Sequence, residues 1–161
     1  VFVCQVPLRE AGKPLPVIVA DLEQARSITA SWPQAAQDLA AAFWPGPLTI
    51  VAPAASSLPP QLLAGGSTIA ARVPSSDVAR ALARLAGPLV STSANLAGEP
   101  PCVTADLALA AFPSATLVLD AGPLDGPPST IVDVCGSDGE PRILREGRID
   151  RRRIEECWPR K

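Results

Sequence analysis

The chain has 161 residues, 47% of them hydrophobic, enough for one domain with its own core and too few for two. Its 16 acidic and 14 basic residues leave a formal charge of -2, without the basic excess of a protein that grips nucleic acid unaided. No stretch approaches the roughly 20 apolar residues of a membrane helix, and with 4 cysteines, no CxxC pair and no histidine a zinc site would need every cysteine, so thiols in a reducing cytoplasm are expected.

The chain opens on Val1 in an apolar run, VFVCQV, as a chain lacking its beginning would. Short β-branched runs then alternate with Ala/Leu-rich segments at helical spacing, which predicts α/β or mixed α+β layering. Strands are expected at 16–19, 48–52, 68–73, 89–91, 116–119, 130–134 and 142–144. A first helix is expected over 21–29 and a second over 33–43, with Pro33 in its first turn and the WPGP of 44–47 forcing a stop. Ser76 or Asp77 can cap a third helix running to Leu85, with Gly87 as its left-handed terminator. Thr104 can cap a fourth over 105–112, and a last helix over 150–158 carries Arg151, Arg152 and Arg153 on a solvated face.

Chemistry is most concentrated in PLVSTSANLAGEPP, 88–101, where an apolar strand runs directly into hydroxyls, an amide and a glycine. Backbone N–H groups exposed in such a turn, with Ser91, Thr92, Ser93 and Asn95 beside them, are what a phosphate or carboxylate needs. An ordinary polar turn has the same composition. Arg72, Arg142 and Arg145 lie at strand-like runs, where a planar, permanently charged guanidinium can clamp an oxyanion; a solvated surface charge fits them too. Ser129 and Thr130 precede a buried strand and read equally as a strand-entry turn. Without histidine there is no Ser-His-Asp arrangement, and neither a GxxxxGK[ST] loop nor a paired-carboxylate cluster occurs, so any chemistry here rests on polarisation and positioning.

In order, KPLP at 13–16, FWPGPLTIV at 43–51, ARVP at 71–74, STSANLAGEPP at 91–101, STIVDV at 129–134 and ILREGRI at 143–149 resemble the YrdC-like family, the threonylcarbamoyl-AMP synthases. The resemblance implies an open, twisted mixed α/β sheet with flanking helices and a large concave cavity. It further implies synthesis of threonylcarbamoyl-AMP and pyrophosphate from L-threonine, bicarbonate and ATP with Mg²⁺, feeding the tRNA threonylcarbamoyl-transfer machinery, with direct tRNA binding weak or indirect. By motif position Arg9, Thr68, Ser93, Asn95 and Arg145 look like ATP contacts, and Arg72, Ser91 and Ser129 resemble threonine-side residues.

Two departures accompany the match. Aligned on Pro14 and Leu15, the family's early Lys-x-Arg-Pro motif puts Arg9 on its arginine but Pro7 on its lysine and Glu10 on its proline. The family strand and Pro-Thr-x-Thr-x-Tyr-Gly-Leu segment ahead of that motif have no counterpart, so a single domain lacking its N-terminal segment is expected. Two other readings stand beside the enzyme: a non-catalytic nucleotide- or RNA-binding module that keeps the cavity, and the related domain of hydrogenase-maturation carbamoyltransferases.

Overall fold

The computed structural model describes residues 2–3, 15–96, 98–115, 117–124, 126–136 and 140–158. Arg9, Pro7, Glu10, Lys13 and Cys4 lie outside the described residues. The chain divides into two compact units, Val1–Ala11 with Thr92–Gly126, and Gly12–Ser91 with Pro127–Lys161.

The larger unit is built on a six-stranded mixed sheet. In chain order its elements are β2 (Val17–Ile18), α1 (Leu22–Ser27), α2 (Gln34–Phe43), β3 (Leu48–Pro53), α3 (Pro60–Leu63), β4 (Thr68–Arg72), α4 (Asp77–Ala86), β5 (Leu89–Val90), β7 (Thr130–Asp133), β8 (Arg142–Arg145) and α6 (Arg151–Cys157). The smaller unit contributes β1 (Phe2–Val3), α5 (Ala105–Ala111) and β6 (Val118–Leu119). The large sheet runs β5-β2-β4-β3-β7-β8, with β2 parallel to β4, β3 parallel to β7 and the remaining neighbours antiparallel.

The expected caps at Ser76 and Thr104 are present, and Asp21 and Asp150, expected inside their helices, stand just outside them as N-caps. Asp21, Ser76, Thr104 and Asp150 each accept a backbone N–H from three residues on, satisfying one of the donors every helix start leaves over. Pro33 is itself the N-cap of α2, in extended conformation, and so stands just outside the first turn where it was expected. Gly87 does have positive φ (84°), but its ψ of -173° is extended and not left-handed helical. The short α3, between two prolines and a left-handed Ala64, has no periodic signal to announce it.

Alternation along the strands divides the sheet into two faces. Leu48, Ile50, Ala52, Ile69, Ala71 and Val132 are buried on one, packed by Ala35, Ala36, Leu39 and Ala40 of α2, by Ile154 of α6, and by Ala25 of α1. Alanine on α2 lets its backbone approach the sheet closely, and that face holds the core. The opposite phase, Thr68, Ala70 and Arg72 on β4 and Ile131 and Asp133 on β7, is half-buried.

The register slips once. Ile131 pairs with Arg145 and Val132 with Ile143, so Leu144 is a bulge residue, 59% exposed. Ile143 packs against the core while Arg145 goes to the other face with Ile131. Strict alternation would put 143 and 145 on the same side; the extra residue separates them.

Cys135 follows β7, its N–H donating to Asp133 Oδ1 at 2.8 Å and its Sγ lying 3.7 Å from Val51 O. Burial, then hydrogen bonding to Asp133 and that carboxylate's charge, push the thiol from 9.0 up to about 12. Since the thiolate is the reactive form, alkylation of Cys135 by iodoacetamide at pH 8 is expected to run at least about a hundredfold slower in the folded chain than after unfolding. The unfolded chain gives up this proton first, so this group costs native stability as pH climbs from 9 toward 12. Peptide mapping after timed alkylation checks the first point, and equal folded and unfolded rates would refute it.

Candidate functional site

Arg72 ends β4 on the half-buried face. Its Nε donates to Gly46 O at 2.9 Å, and Gly46 N donates to Val73 O at 2.9 Å, so the turn after the cis Trp44–Pro45 bond is fastened on both sides of the strand end. Glycine is required there, because a Cβ on Gly46 would lie 2.3 Å from Phe43 O. Burial, and then the positive charges of Arg148 and Arg145, push the Arg72 guanidinium below its usual value. A partly buried guanidinium repelled by two exposed ones favours a bound anion, which relieves the repulsion as well as forming its own bonds.

Arg145, at the end of β8, folds back on Ser129. Its Nε and Nη2 donate to Ser129 O at 3.2 and 2.9 Å, and Nη2 also reaches Ser129 Oγ at 3.3 Å. Ser129 Oγ in turn lies 2.9 Å from Thr49 Oγ1, on β3. Thr49 is 5% exposed and stands one position past the Ile50–Ala71 pair, on the face that carries Arg72. The hydroxyl pair therefore sits between β4 and β8, with a guanidinium at each side. Thr68 begins β4 on the same face, opposite Pro53, and Ser91 N donates to Pro16 O at 2.8 Å, extending the β5–β2 ladder.

Behind Ser129, the loop from β8 to α6 is pinned to Thr130, which is fully buried. Its Oγ1 donates to Ile149 O at 2.6 Å and accepts from Gly147 N and Ile149 N, both at 3.0 Å, while Arg148 N donates to Pro128 O at 3.0 Å. Gly147 runs so close to the strand entry that a Cβ would meet Pro128 O at 2.2 Å.

In the smaller unit, the loop of Ser93 and Asn95 is tied by its own amide. Asn95 Nδ2 donates to Leu96 O and Glu99 O, both at 3.0 Å, and Cys102 N donates to Ala94 O at 2.7 Å. Ser93 is exposed, and its carbonyl accepts from Asn95 N and Thr92 Oγ1, each at 3.1 Å. The hydroxyl of Ser93 is thereby left at the surface of a braced turn.

Within the larger unit, then, Arg72, Ser129 and Arg145 are brought together, with Thr68 on their face and Ser91 at a neighbouring strand end. Arg148 and Thr49 were not singled out from the sequence. The spacing of the two arginines in LREGR was the available sign for Arg148; Thr49 looks like any β-branched strand residue. Arg151 and Arg152 pair with Glu155 and Glu156 along α6 as a solvated face does, but Arg153 lies 5.6 Å over the Phe43 ring. A separate pocket of about 320 Å³ on the helical side, walled by Trp44, Pro45, Val73, Arg80 and Arg84, contains none of the expected residues.

The family model described as Telomere recombination, covering Sua5, YciO and YrdC, matches residues 3–147. A Mycobacterium tuberculosis protein provisionally named a threonylcarbamoyl-AMP synthase is 39% identical over 92% of this chain and 68% of its own length. The threonylcarbamoyl-AMP synthase of Bacillus subtilis is 36% identical over 91% of this chain and 43% of its own. Among solved structures, Pyrococcus abyssi Sua5 complexed with L-threonine superposes with a TM-score of 0.87 at 32% identity, over 94% of this chain and 45% of that one. The chain thus spans about two thirds of the mycobacterial relative and less than half of the other two.

Proposed function

Because the chain belongs to the Sua5/YciO/YrdC family, we propose that it is an L-threonylcarbamoyladenylate synthase, making threonylcarbamoyl-AMP and pyrophosphate from L-threonine, bicarbonate and ATP for tRNA modification in the cytoplasm. The observation that carries this reading is the placement of Arg72 and Arg145 on either side of the Ser129–Thr49 hydroxyl pair. Every substrate in the reaction is an anion or becomes one.

In the proposed reaction the threonine amine adds to the carbon of bicarbonate and water leaves, giving a carbamate. A carbamate oxygen then attacks the α-phosphorus of ATP and pyrophosphate departs with the bond to the β-phosphate. Negative charge accumulates on the phosphoryl oxygens during that displacement, and fixed guanidinium, hydroxyl and amide donors stabilise it without having to reorganise. In this reading Arg72, Ser91 and Ser129 hold threonine, while Arg9, Thr68, Ser93, Asn95 and Arg145 contact the nucleotide. Among the described residues no three His, Cys, Asp or Glu side chains converge. In this reading Mg²⁺ accompanies the ATP phosphates. Among the described residues no helix is long and apolar enough to cross a membrane. The tRNA threonylcarbamoyl-transfer machinery would take the adenylate onward.

Pyrophosphate release from ATP with Mg²⁺, bicarbonate and threonine is expected to stop when threonine is omitted. It should fall by about tenfold or more in Ser93→Ala, where an exposed donor to the nucleotide is removed. ATP binding by calorimetry without threonine-dependent release would instead favour the non-catalytic nucleotide-binding module.

A further inference from the structure

Thr130 is a threonine with no solvent exposure whose hydroxyl has its full complement of partners: one proton given to Ile149 O, two accepted from Gly147 N and Ile149 N. All three partners belong to one short loop. That loop begins directly after Arg145, contains Arg148, and leads into α6, whose first amide, Arg151 N, is accepted by Glu146 Oε1 at 3.0 Å. A threonine at the start of a strand ordinarily contributes its β-branch to the sheet. Here the side chain instead ties a loop 17 to 19 residues further along the chain to the strand beside Ser129.

Resting on the site reading above, we infer that Thr130 is a positioning residue: its hydroxyl sets the path of residues 147–149 and thereby holds the Arg145 guanidinium at Ser129, where it meets the anionic substrate. The hydroxyl touches neither substrate nor reacting atom. It lies on the core phase of β7, opposite Leu48, whereas Arg145 stands on the other face with Ile131. Coupling between the two runs through the backbone alone, by way of Gly147 N at one end and the Arg148 N bond to Pro128 O beside it. A methyl in place of the hydroxyl would keep the shape and strand preference of the side chain while leaving two amides and one carbonyl without their partner.

The test uses the whole chain, with inorganic pyrophosphate as the probe, and compares wild type with Thr130→Val and Thr130→Ser. Thr130→Val is expected to weaken pyrophosphate affinity by about tenfold and Thr130→Ser by no more than about twofold, because only the hydroxyl matters to the loop. Pyrophosphate affinity in Thr130→Val equal to wild type overturns the inference, and so does a loss in Thr130→Ser as large as in Thr130→Val. Amide hydrogen exchange supplies a readout free of any ligand, and one that survives if Thr130→Val fails to fold. In wild type the Gly147 and Ile149 amides should be protected like those of β7, and exchange at the rate of an open loop would sink the idea. If wild type shows no affinity for pyrophosphate, the anion-site reading falls, and the loop lock is then judged on exchange alone.

Discussion

Arg145→Ala should lower threonine-dependent pyrophosphate release by about 10²- to 10³-fold while moving the unfolding transition by less than about 0.5 kcal/mol. Arg145 is exposed, so little packing is lost with it. Its Nε and Nη2 are committed to Ser129, which orients the plane of the guanidinium and leaves the two Nη1 hydrogens without a partner among the described residues. A fixed plane with a free edge is suited to a phosphoryl oxygen. Arg145→Lys keeps the charge but cannot bind Ser129 and an anion from one rigid fork, and should fall between wild type and alanine. Initial rates at saturating ATP together with thermal unfolding decide the matter. A rate within twofold of wild type would remove Arg145 from the nucleotide site.

The largest stability effect is expected at Gly147. A Cβ there would lie 2.2 Å from Pro128 O, 2.7 Å from Ser129 C and 2.8 Å from Ser129 O, all backbone atoms that no rotamer change can move aside. Gly147→Ala must therefore push the loop off Thr130 or push the strand entry off β3, and should cost about 3 kcal/mol. For a chain of this size that corresponds to a fall in Tm of roughly 10 °C. Gly65→Ala is the informative control: nothing stands within 4 Å of its Cβ, and only its positive φ of 81° resists the change, so a cost of about 1 kcal/mol is expected. Equal, small shifts for both variants would show that the contact at Gly147 yields readily.

Much of this architecture could be read from residue types. The alternation of TIAAR, the caps at Ser76 and Thr104, and the WPGP stop each express a local rule, and each has its place in the fold. Arg72, Ser129 and Arg145 stood out as anion-binding candidates because guanidiniums and hydroxyls at strand ends suit an oxyanion, although a solvated charge or a strand-entry turn fits the same residue types. What escaped was whatever depends on clearance or on long-range register. Gly46 and Gly147 look like any loop glycine until the atoms 2.3 and 2.2 Å from a notional Cβ are known. Thr130 was read as a turn residue because its partners are 17 and 19 positions away. Thr49 was hidden by being β-branched in a strand, where a threonine and a valine satisfy the same pattern. The two-residue β1 and the four-residue α3 are shorter than the windows in which periodicity can be counted.

The bulge at Leu144 lets Ile143 stay on the apolar layer while Arg145, two positions on, stays beside Ile131 on the opposite face. Deleting Leu144 would leave both pairings in place and put the same two side chains on opposite faces by ordinary alternation. Position 144 is thus a point where the chain can gain or lose one codon without reorienting the charge of this face, a tolerance that a comparison restricted to substitutions would never reveal.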